Sequence, residues 1–232
     1  MRSKQHSILH RMGVYCKHFA LGFALICTQL TLSSASAQTS EPSAQTIQQS
    51  AALFEQGVAA ANKGDFQQAI RNFTQVIALI PNDAAAYNNR GNAYNELNDY
   101  SSAIRDLTQA IALDPKDAVA YYNRGTIYSI LKDHSSAIRD FTQAIALNPN
   151  HADAYVNRGF EYSSLKDHSS AISDYTQAIA LNPNLANAYS NRAVSFGLKN
   201  DYRNATRDAR KGCSLGKCKA LEVLGQNGWL RD

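Results

Sequence analysis

Apolar residues recur with helical spacing through most of the chain, and segment 84–117 shows the pattern clearly. Its second half carries an apolar side chain every three or four positions: Ala103, Ile104, Leu107, Ala110, Ile111 and Leu113. That spacing is typical of the buried face of an amphipathic helix. In its first half Tyr87, Gly91 and Tyr94 fall at i, i+4 and i+7, so they also share a helical face. The segment therefore predicts two helices joined at Asn98-Asp99.

The same helix pair repeats along the chain with a period of 34 residues. Four residue types share this step: Gly57, Gly91, Gly125 and Gly159; Tyr87, Tyr121, Tyr155 and Tyr189; Pro81, Pro115, Pro149 and Pro183; Ala69, Ala103, Ala137, Ala171 and Ala205. Each proline ends a pair, because proline cannot continue a helix. About five units follow: 50–83, 84–117, 118–151, 152–185 and a degenerate 186–219. One pair cannot bury its apolar face alone, so the units are expected to stack.

The order of large and small residues within a unit resembles the tetratricopeptide repeat family. That family places aromatic residues, small residues and a proline at set positions, which unit three fills with Tyr121, Gly125, Tyr128, Ala137, Phe141, Ala144 and Pro149. The resemblance implies an all-α, right-handed superhelical solenoid of helix-turn-helix repeats, and we expect an exported bacterial member. Unit one departs from the pattern at Leu53 and Ala60, and unit five at Lys217. Because a solenoid end must cover its last apolar face, 220–232 is expected to form a C-terminal cap.

Two local features have physical reasons in this arrangement. An asparagine or aspartate after each proline can cap the next helix: Asn82 or Asp83, Asp117, Asn150 and Asn184. Gly91 and Ala103 are predicted where the two helices of a unit cross closely, because a larger side chain would force them apart.

The first 37 residues have the order of a secretory signal peptide. A basic stretch without acidic residues leads into an apolar run from Phe19 to Leu32, and Ala35-Ser36-Ala37 closes it. We expect cleavage after Ala37, a periplasmic or secreted protein, and no membrane span after cleavage. The polar segment 38–49 is then predicted to be a disordered spacer.

Charge and cysteine counts change once this segment is set aside. Four of the 23 basic residues lie in it, so the remaining basic residues balance the 19 acidic ones. A neutral chain lacks the basic patch that phosphates require, so nucleic acid is not an expected partner. Cys213 and Cys218 remain, and an even pair in an exported chain predicts a disulfide, with free thiols as the alternative. No metal site is predicted, because zinc would need two further ligands.

In the tetratricopeptide repeat family the first helices of successive units line a concave groove where ligands bind. By that resemblance the sixth position of each unit gives a ladder of amides: Asn89, Asn123, Asn157 and Asn191. An amide offers a donor and an acceptor to the main chain of an extended peptide; alternatively, these asparagines only bridge adjacent helices. Asn92, Tyr122 and Phe160 complete the expected groove, the two aromatic residues as exposed anchors.

Arginine stands at the seventh position and aspartate at the twenty-third in units two to five. We expect a structural ion pair in each: Arg90 with Asp106, Arg124 with Asp140, Arg158 with Asp174, and Arg192 with Asp208. Unit one has Gln56 and Asn72 at these positions, which suggests a neutral amide pair. In the alternative, the arginines face solvent or ligand.

The sequence contains no glycine-rich phosphate loop and no G-x-S-x-G motif. His134 and His168 stand where other units place an aromatic ring, so they are expected to pack rather than bind metal. We therefore expect a non-enzymatic scaffold without a cofactor, which binds a peptide or partner protein in its groove in the cell envelope. The alternative is a structural subunit of an envelope or secretion assembly, docked through its ends or through the basic face of Arg203, Arg207 and Arg210.

Overall fold

The computed structural model describes residues 42–231, and all regular structure in that range is α-helical. Its helices are α1 Ala44–Asn62, α2 Phe66–Leu79, α3 Ala84–Glu96, α4 Tyr100–Leu113, α5 Ala118–Ile130, α6 His134–Leu147, α7 Ala152–Ser164, α8 His168–Leu181, α9 Ala186–Leu198, α10 Tyr202–Ser214 and α11 Lys219–Gln226. From α1 to α10, odd numbers are the first helices of units one to five and even numbers are the second. The predicted all-α repeat fold is confirmed. None of these helices is long and apolar enough to cross a membrane.

Each helix packs against its neighbours in chain order. The two helices of a unit pack together, and each second helix also packs against the first helix of the next unit. Successive first helices touch one another, whereas successive second helices do not. Successive units are therefore closer together at their first helices than at their second helices. The stack curves toward the first helices, so the free surface of these helices lies on its inner side.

Small residues let the two helices of a unit approach closely, as predicted. A Cβ atom added to Gly91 would lie 2.9 Å from Leu107 Cγ and 3.3 Å from the Ala103 carbonyl oxygen. The same addition at Gly125 would lie 2.9 Å from the ring of Phe141. Contacts this short would force the second helix outward, so packing requires glycine at these positions.

Aspartates cap the second helices in every unit, which the sequence interpretation did not include. Each accepts a hydrogen bond from the backbone N–H three residues later: Asp65, Asp99, Asp133, Asp167 and Asp201. These side chains satisfy a donor that the first helical turn leaves unpaired. The expected caps at Asn150 and Asn184 are wrong, because α7 and α9 begin one residue later. His151 Nδ1 accepts from the Ala154 N–H instead, and Leu185 provides no side-chain cap.

The expected disordered spacer 38–49 is wrong for 44–49, which form the first turns of α1. Ser43 starts this helix, since its Oγ accepts a hydrogen bond from the Thr46 N–H at 3.1 Å. Ser50 is buried and donates its hydroxyl to the Ile47 carbonyl at 2.9 Å. Extending an existing helix avoids the cost of nucleation, so a polar segment can continue it. Residues 38–41, the predicted signal peptide and its cleavage site lie outside the described residues.

The last helix and the residues after it cover the end of unit five. Leu224 of α11 is buried among the alanines of α9 and α10. The chain then turns back, so that Trp229 stacks on Tyr202 with 6.1 Å between ring centroids. The Arg231 N–H donates to Thr206 Oγ1 at 2.9 Å and holds the returning segment. This end is therefore closed, as a solenoid terminus requires.

Candidate binding surface on the first helices

The asparagine ladder links neighbouring units. Two of its members form hydrogen bonds to the preceding unit, Asn123 with Asn88 Oδ1 at 3.0 Å and Asn157 with the Tyr122 hydroxyl at 3.1 Å. Burial raises the pKa of the Tyr175 hydroxyl of the preceding unit overall, and the side chain of a third member, Asn191, acts to lower that pKa. The fourth, Asn89, donates to the Ala85 carbonyl of its own helix at 2.8 Å. The asparagines therefore bridge adjacent helices, which was the alternative to binding a peptide. A bridging amide still has a second N–H and an acceptor lone pair that a peptide could use.

Tyr122 is packed rather than displayed, which corrects its expected role as an exposed anchor. Its ring lies 4.5 Å from the ring of His151 and 5.8 Å from that of Phe141, measured between centroids. Burial raises the pKa of the Tyr122 hydroxyl and lowers the pKa of the His151 imidazole, because each charged form loses solvation. Residues from the second helix of unit three and the residue that caps α7 enclose Tyr122, and no sequence pattern marks that contact.

Phe160 is exposed over 50% of its surface, as a binding residue would be. Ile130 and Leu198, in the last turns of α5 and α9, are 48% and 46% exposed. Asn92 is partly buried on α3. Large apolar side chains that no helix covers are thus found on the first helices of units three to five.

The structure brings together each predicted arginine–aspartate pair. Arg124 donates from Nε to Asp140 Oδ2 at 2.7 Å and from Nη2 to Oδ1 at 2.9 Å. The same two bonds join the other pairs: Arg90 to Asp106, Arg158 to Asp174 and Arg192 to Asp208. The bond to Asp140 raises the pKa of Arg124, and Asp140 is 1% exposed. Such bidentate pairs fix the angle between the two helices of a unit.

Each of these arginines also joins its unit to the preceding one, a link that was not predicted. Arg124 donates from Nη1 to Thr108 Oγ1 of unit two at 3.0 Å. Equivalent bonds join Arg90 to Thr74, Arg158 to Thr142 and Arg192 to Thr176. The Arg124 guanidinium also lies about 6 Å from the rings of Tyr121 and Tyr128. The sequence did contain a signal, because threonine recurs with the same 34-residue period at positions 74, 108, 142 and 176.

Unit one lacks this network and does not form the expected amide pair. Asn72 is buried, and its Oδ1 accepts a hydrogen bond from Gln68 Nε2 of the same helix at 2.8 Å. Gln56 is exposed on α1. A residue one turn earlier satisfies the buried amide, so α1 need not supply a partner.

Unit four contains a buried carboxyl group that breaks the repeat. Glu161 is fully buried at a position that holds Ala93, Ile127 and Ser195 in other units. Its carboxylate accepts a hydrogen bond from the Ser129 hydroxyl and lies 2.6 Å from His134 Nδ1. A buried carboxylate needs such partners. His134 was expected only to pack as a ring, but it also bonds across the boundary between units three and four.

The remaining candidate residues lie near the C-terminal end. Cys213 at the end of α10 is disulfide-bonded to Cys218, just before α11. Arg203 and Arg207 are exposed on α10, and Arg207 Nε lies 3.5 Å from the carboxylate of Asp208. Within residues 42–231 no group of three or more histidine, cysteine, aspartate or glutamate side chains is placed to hold a metal ion.

Known proteins share both the repeat and its arrangement. Residues 59–97 and 91–131 match a family described as TPR repeat, and residues 118–151 and 152–185 match the tetratricopeptide repeat. No curated protein matches the chain by sequence.

Solved structures share the fold over most of the chain. A crystal structure of MamA is 30% identical, with 71% of this chain and 96% of that chain covered and a TM-score of 0.65. A second structure of the MamA protein is 27% identical over 77% and 95% of the two chains, with a TM-score of 0.66. YrrB, a TPR protein with an unusual peptide-binding site, is 19% identical over 75% and 90% with a TM-score of 0.65, which shows the fold alone. From its repeats, its helix packing and these matches, the chain belongs to the tetratricopeptide repeat family.

Proposed function

We propose that the protein is a non-enzymatic scaffold that binds a peptide or partner protein on the inner surface of its first helices. The observation that carries this proposal is the exposure of Phe160, Ile130 and Leu198 on that surface. Apolar side chains that a fold leaves uncovered on one concave side are typical of a binding site. The family supports the same class of function, and YrrB is a relative in fold with a peptide-binding site.

Rigid amides beside the apolar residues support peptide binding in a second way. Asn123 and Asn157 are held in place by their bonds to the preceding unit. A side chain that is already ordered loses little entropy when a ligand binds to it. Their remaining donors and acceptors would pair with the main chain of an extended segment.

An envelope location is part of the proposal. The segment 1–37 has the order of a secretory signal peptide. The disulfide between Cys213 and Cys218 is consistent with an oxidising compartment, where such bonds persist.

A second candidate function is that of an assembly subunit docked through its basic end. The exposure of Arg203 and Arg207 on α10 favours it. An acidic partner would be attracted to that face, and the attraction would weaken with salt.

A peptide array probed with the full-length chain, followed by fluorescence anisotropy on the peptides retained, tests both candidates. Replacing Phe160 and Ile130 together by alanine should weaken peptide binding at least about tenfold, because the apolar contacts are lost. Replacing Arg203 and Arg207 by alanine is the matched control and should leave binding unchanged. An array with no binder, or binding that the first variant leaves intact, contradicts the proposal. Loss in the arginine variant alone would favour the assembly subunit.

A further inference from the structure

Units three to five each expose a leucine and a lysine where the first helix ends. We call these residues the turn edge: Leu131, Lys132, Leu165, Lys166, Leu198 and Lys199. The leucines are 49%, 51% and 46% exposed, and the three lysines are exposed as well. Ile130 directly precedes the turn edge of unit three, and Phe160 lies about one helical turn before that of unit four. Apolar and cationic side chains therefore alternate along one border of the inner surface.

The backbone at two of these lysines indicates that they do not serve the turn itself. Lys132 and Lys166 have φ values of 61° and 65°, in the left-handed region that L side chains disfavour. Other units place Gly64, Asn98 and Asn200 at the same turn position, and these residue types adopt the conformation more readily. Lysine at this position costs folding free energy without improving the turn. Residues kept in a disfavoured conformation are often found at functional sites.

The charges of these lysines are not neutralised by the protein. No carboxylate within residues 42–231 forms an ion pair with Lys132 or Lys166. The adjacent carboxylates cap the next helices: Asp133 accepts a hydrogen bond from the Ser136 N–H, and Asp167 accepts from the N–H and the hydroxyl of Ser170. The interaction with Ser136 lowers the pKa of the Asp133 carboxyl, the interaction with Ser170 lowers that of Asp167, and the helix N-terminus compensates the charge of each. The lysines are thus left as the uncompensated charges of the edge.

We propose that the turn edge, with Ile130 and Phe160, binds an acidic amphipathic segment of a partner protein. Its apolar side chains would cover the exposed leucines, and its aspartate or glutamate carboxylates would pair with the lysines. This inference rests on the proposed function, because it specifies the chemistry of the ligand for the same inner surface. Charge complementarity sets the preference for acidic segments, whereas the apolar contacts supply most of the affinity.

A protein segment fits this surface better than an anionic membrane does. Lysine beside exposed apolar residues also suits a lipid headgroup layer. However, Phe160 and Ile130 lie on the inner side of the stack, which a chain segment can follow and a bilayer surface cannot enter. Lipid vesicles are therefore a competing ligand in the test.

The test compares two synthetic peptides with the full-length chain by fluorescence anisotropy. One alternates leucine or phenylalanine with glutamate, so that an extended segment has one apolar and one acidic face, and the other has lysine in place of every glutamate. We expect the glutamate peptide to bind at least about tenfold more tightly, and its affinity to fall as salt rises. Lys132→Glu with Lys166→Glu should abolish that preference. Lys116→Glu, the same charge change at an exposed turn between units, is the control and should preserve it.

Several results would overturn the inference. These are equal affinity for the two peptides, no binding of the glutamate peptide, or an unchanged preference in the double lysine variant when circular dichroism shows its helices intact. Binding to phosphatidylglycerol vesicles that the double variant loses, without binding of either peptide, would identify a membrane contact instead. A peptide from the array that requires Phe160 but ignores both lysines would overturn this inference and leave the proposed function standing.

Discussion

The guanidinium of Arg124 is held by Asp140 in its own unit and by Thr108 in the preceding one. Removing the aspartate would leave a mostly buried cation without its counter-charge. We expect Asp140→Ala to lower the free energy of unfolding by about 3–5 kcal/mol, the usual cost of breaking a buried pair from one side. Urea denaturation followed by circular dichroism measures the change.

The matched control at this site is Thr108→Val, which removes only the bond between units. Loss of one neutral hydrogen-bond partner should cost about 1 kcal/mol. If Asp140→Ala costs no more than Thr108→Val, the ion pair is not the main contribution of this network.

We expect the imidazole of His151 to make the stability of the protein depend on pH. Its Nδ1 accepts a hydrogen bond from the Ala154 N–H, so that nitrogen must be unprotonated. Burial lowers the pKa of His151 below its ordinary value of 6.5, so the folded state binds the proton less tightly than the unfolded state does. The contribution of His151 to the free energy of unfolding should therefore be fully present above pH 6.5 and should decline as the pH falls below that value. Thermal unfolding measured from about pH 8 down to about pH 5 tests this expectation.

His151→Asn separates this effect from those of the other histidines. Asparagine caps a helix without titrating, so the variant should lose part of the decline below pH 6.5. A variant whose unfolding temperature falls with pH as steeply as that of the natural chain would show that His151 is not responsible.

We expect the loop closed by the disulfide between Cys213 and Cys218 to stabilise the helix that follows it, α11. This loop is short, so its closure should stabilise the protein by about 2 kcal/mol. Replacing both cysteines by serine should speed amide hydrogen exchange in α11 and in the segment that carries Trp229, because the cap is then less constrained. Exchange in α5, which is far along the chain, is the internal control. Equal exchange in α11 with and without the disulfide would contradict this role.

The helices were predictable from sequence because packing imposes residue types at a fixed period. Gly91 and Ala103 mark where helices cross, and each proline marks where a unit ends. The first turns of α1 were missed because a polar segment has no apolar face to detect, although Ser43 is a recognisable cap. The caps of α7 and α9 were missed because one residue decides which side chain meets the free N–H groups, and pattern alone does not set boundaries that finely.

Throughout the stack, neighbouring units are joined by hydrogen bonds as well as by apolar contacts. Arg124 bonds to Thr108, Asn157 to Tyr122, and Glu161 to His134, each across a boundary between units. A repeat protein gains its stability from such nearest-neighbour contacts. These bonds hold the first helices in a fixed relation, so the inner surface is ordered before any ligand arrives.

The candidate site was only partly predictable from the sequence, because several of its contacts are made by residues that do not recur in the repeat. Phe160 could be identified because its position in the repeat places it on the inner side, and the structure leaves it exposed. Tyr122 occupies another inner position, yet His151, the residue that caps α7, covers it. Glu161 gave no signal of its partners, since its bonds to Ser129 and His134 depend on how two particular units meet. Contacts between residues that recur in every unit follow the repeat, whereas contacts made by exceptional residues do not.

The most direct test of the proposed function is to map where a bound peptide lies. A photo-reactive phenylalanine analogue replaces Phe160 in one variant and Gln143, exposed on the second helix α6, in the other. Each full-length variant is irradiated with a labelled peptide retained from the array. Our account predicts a cross-linked product at position 160 and none at position 143. Cross-linking at position 143 alone, or equally at both, would contradict binding on the inner surface.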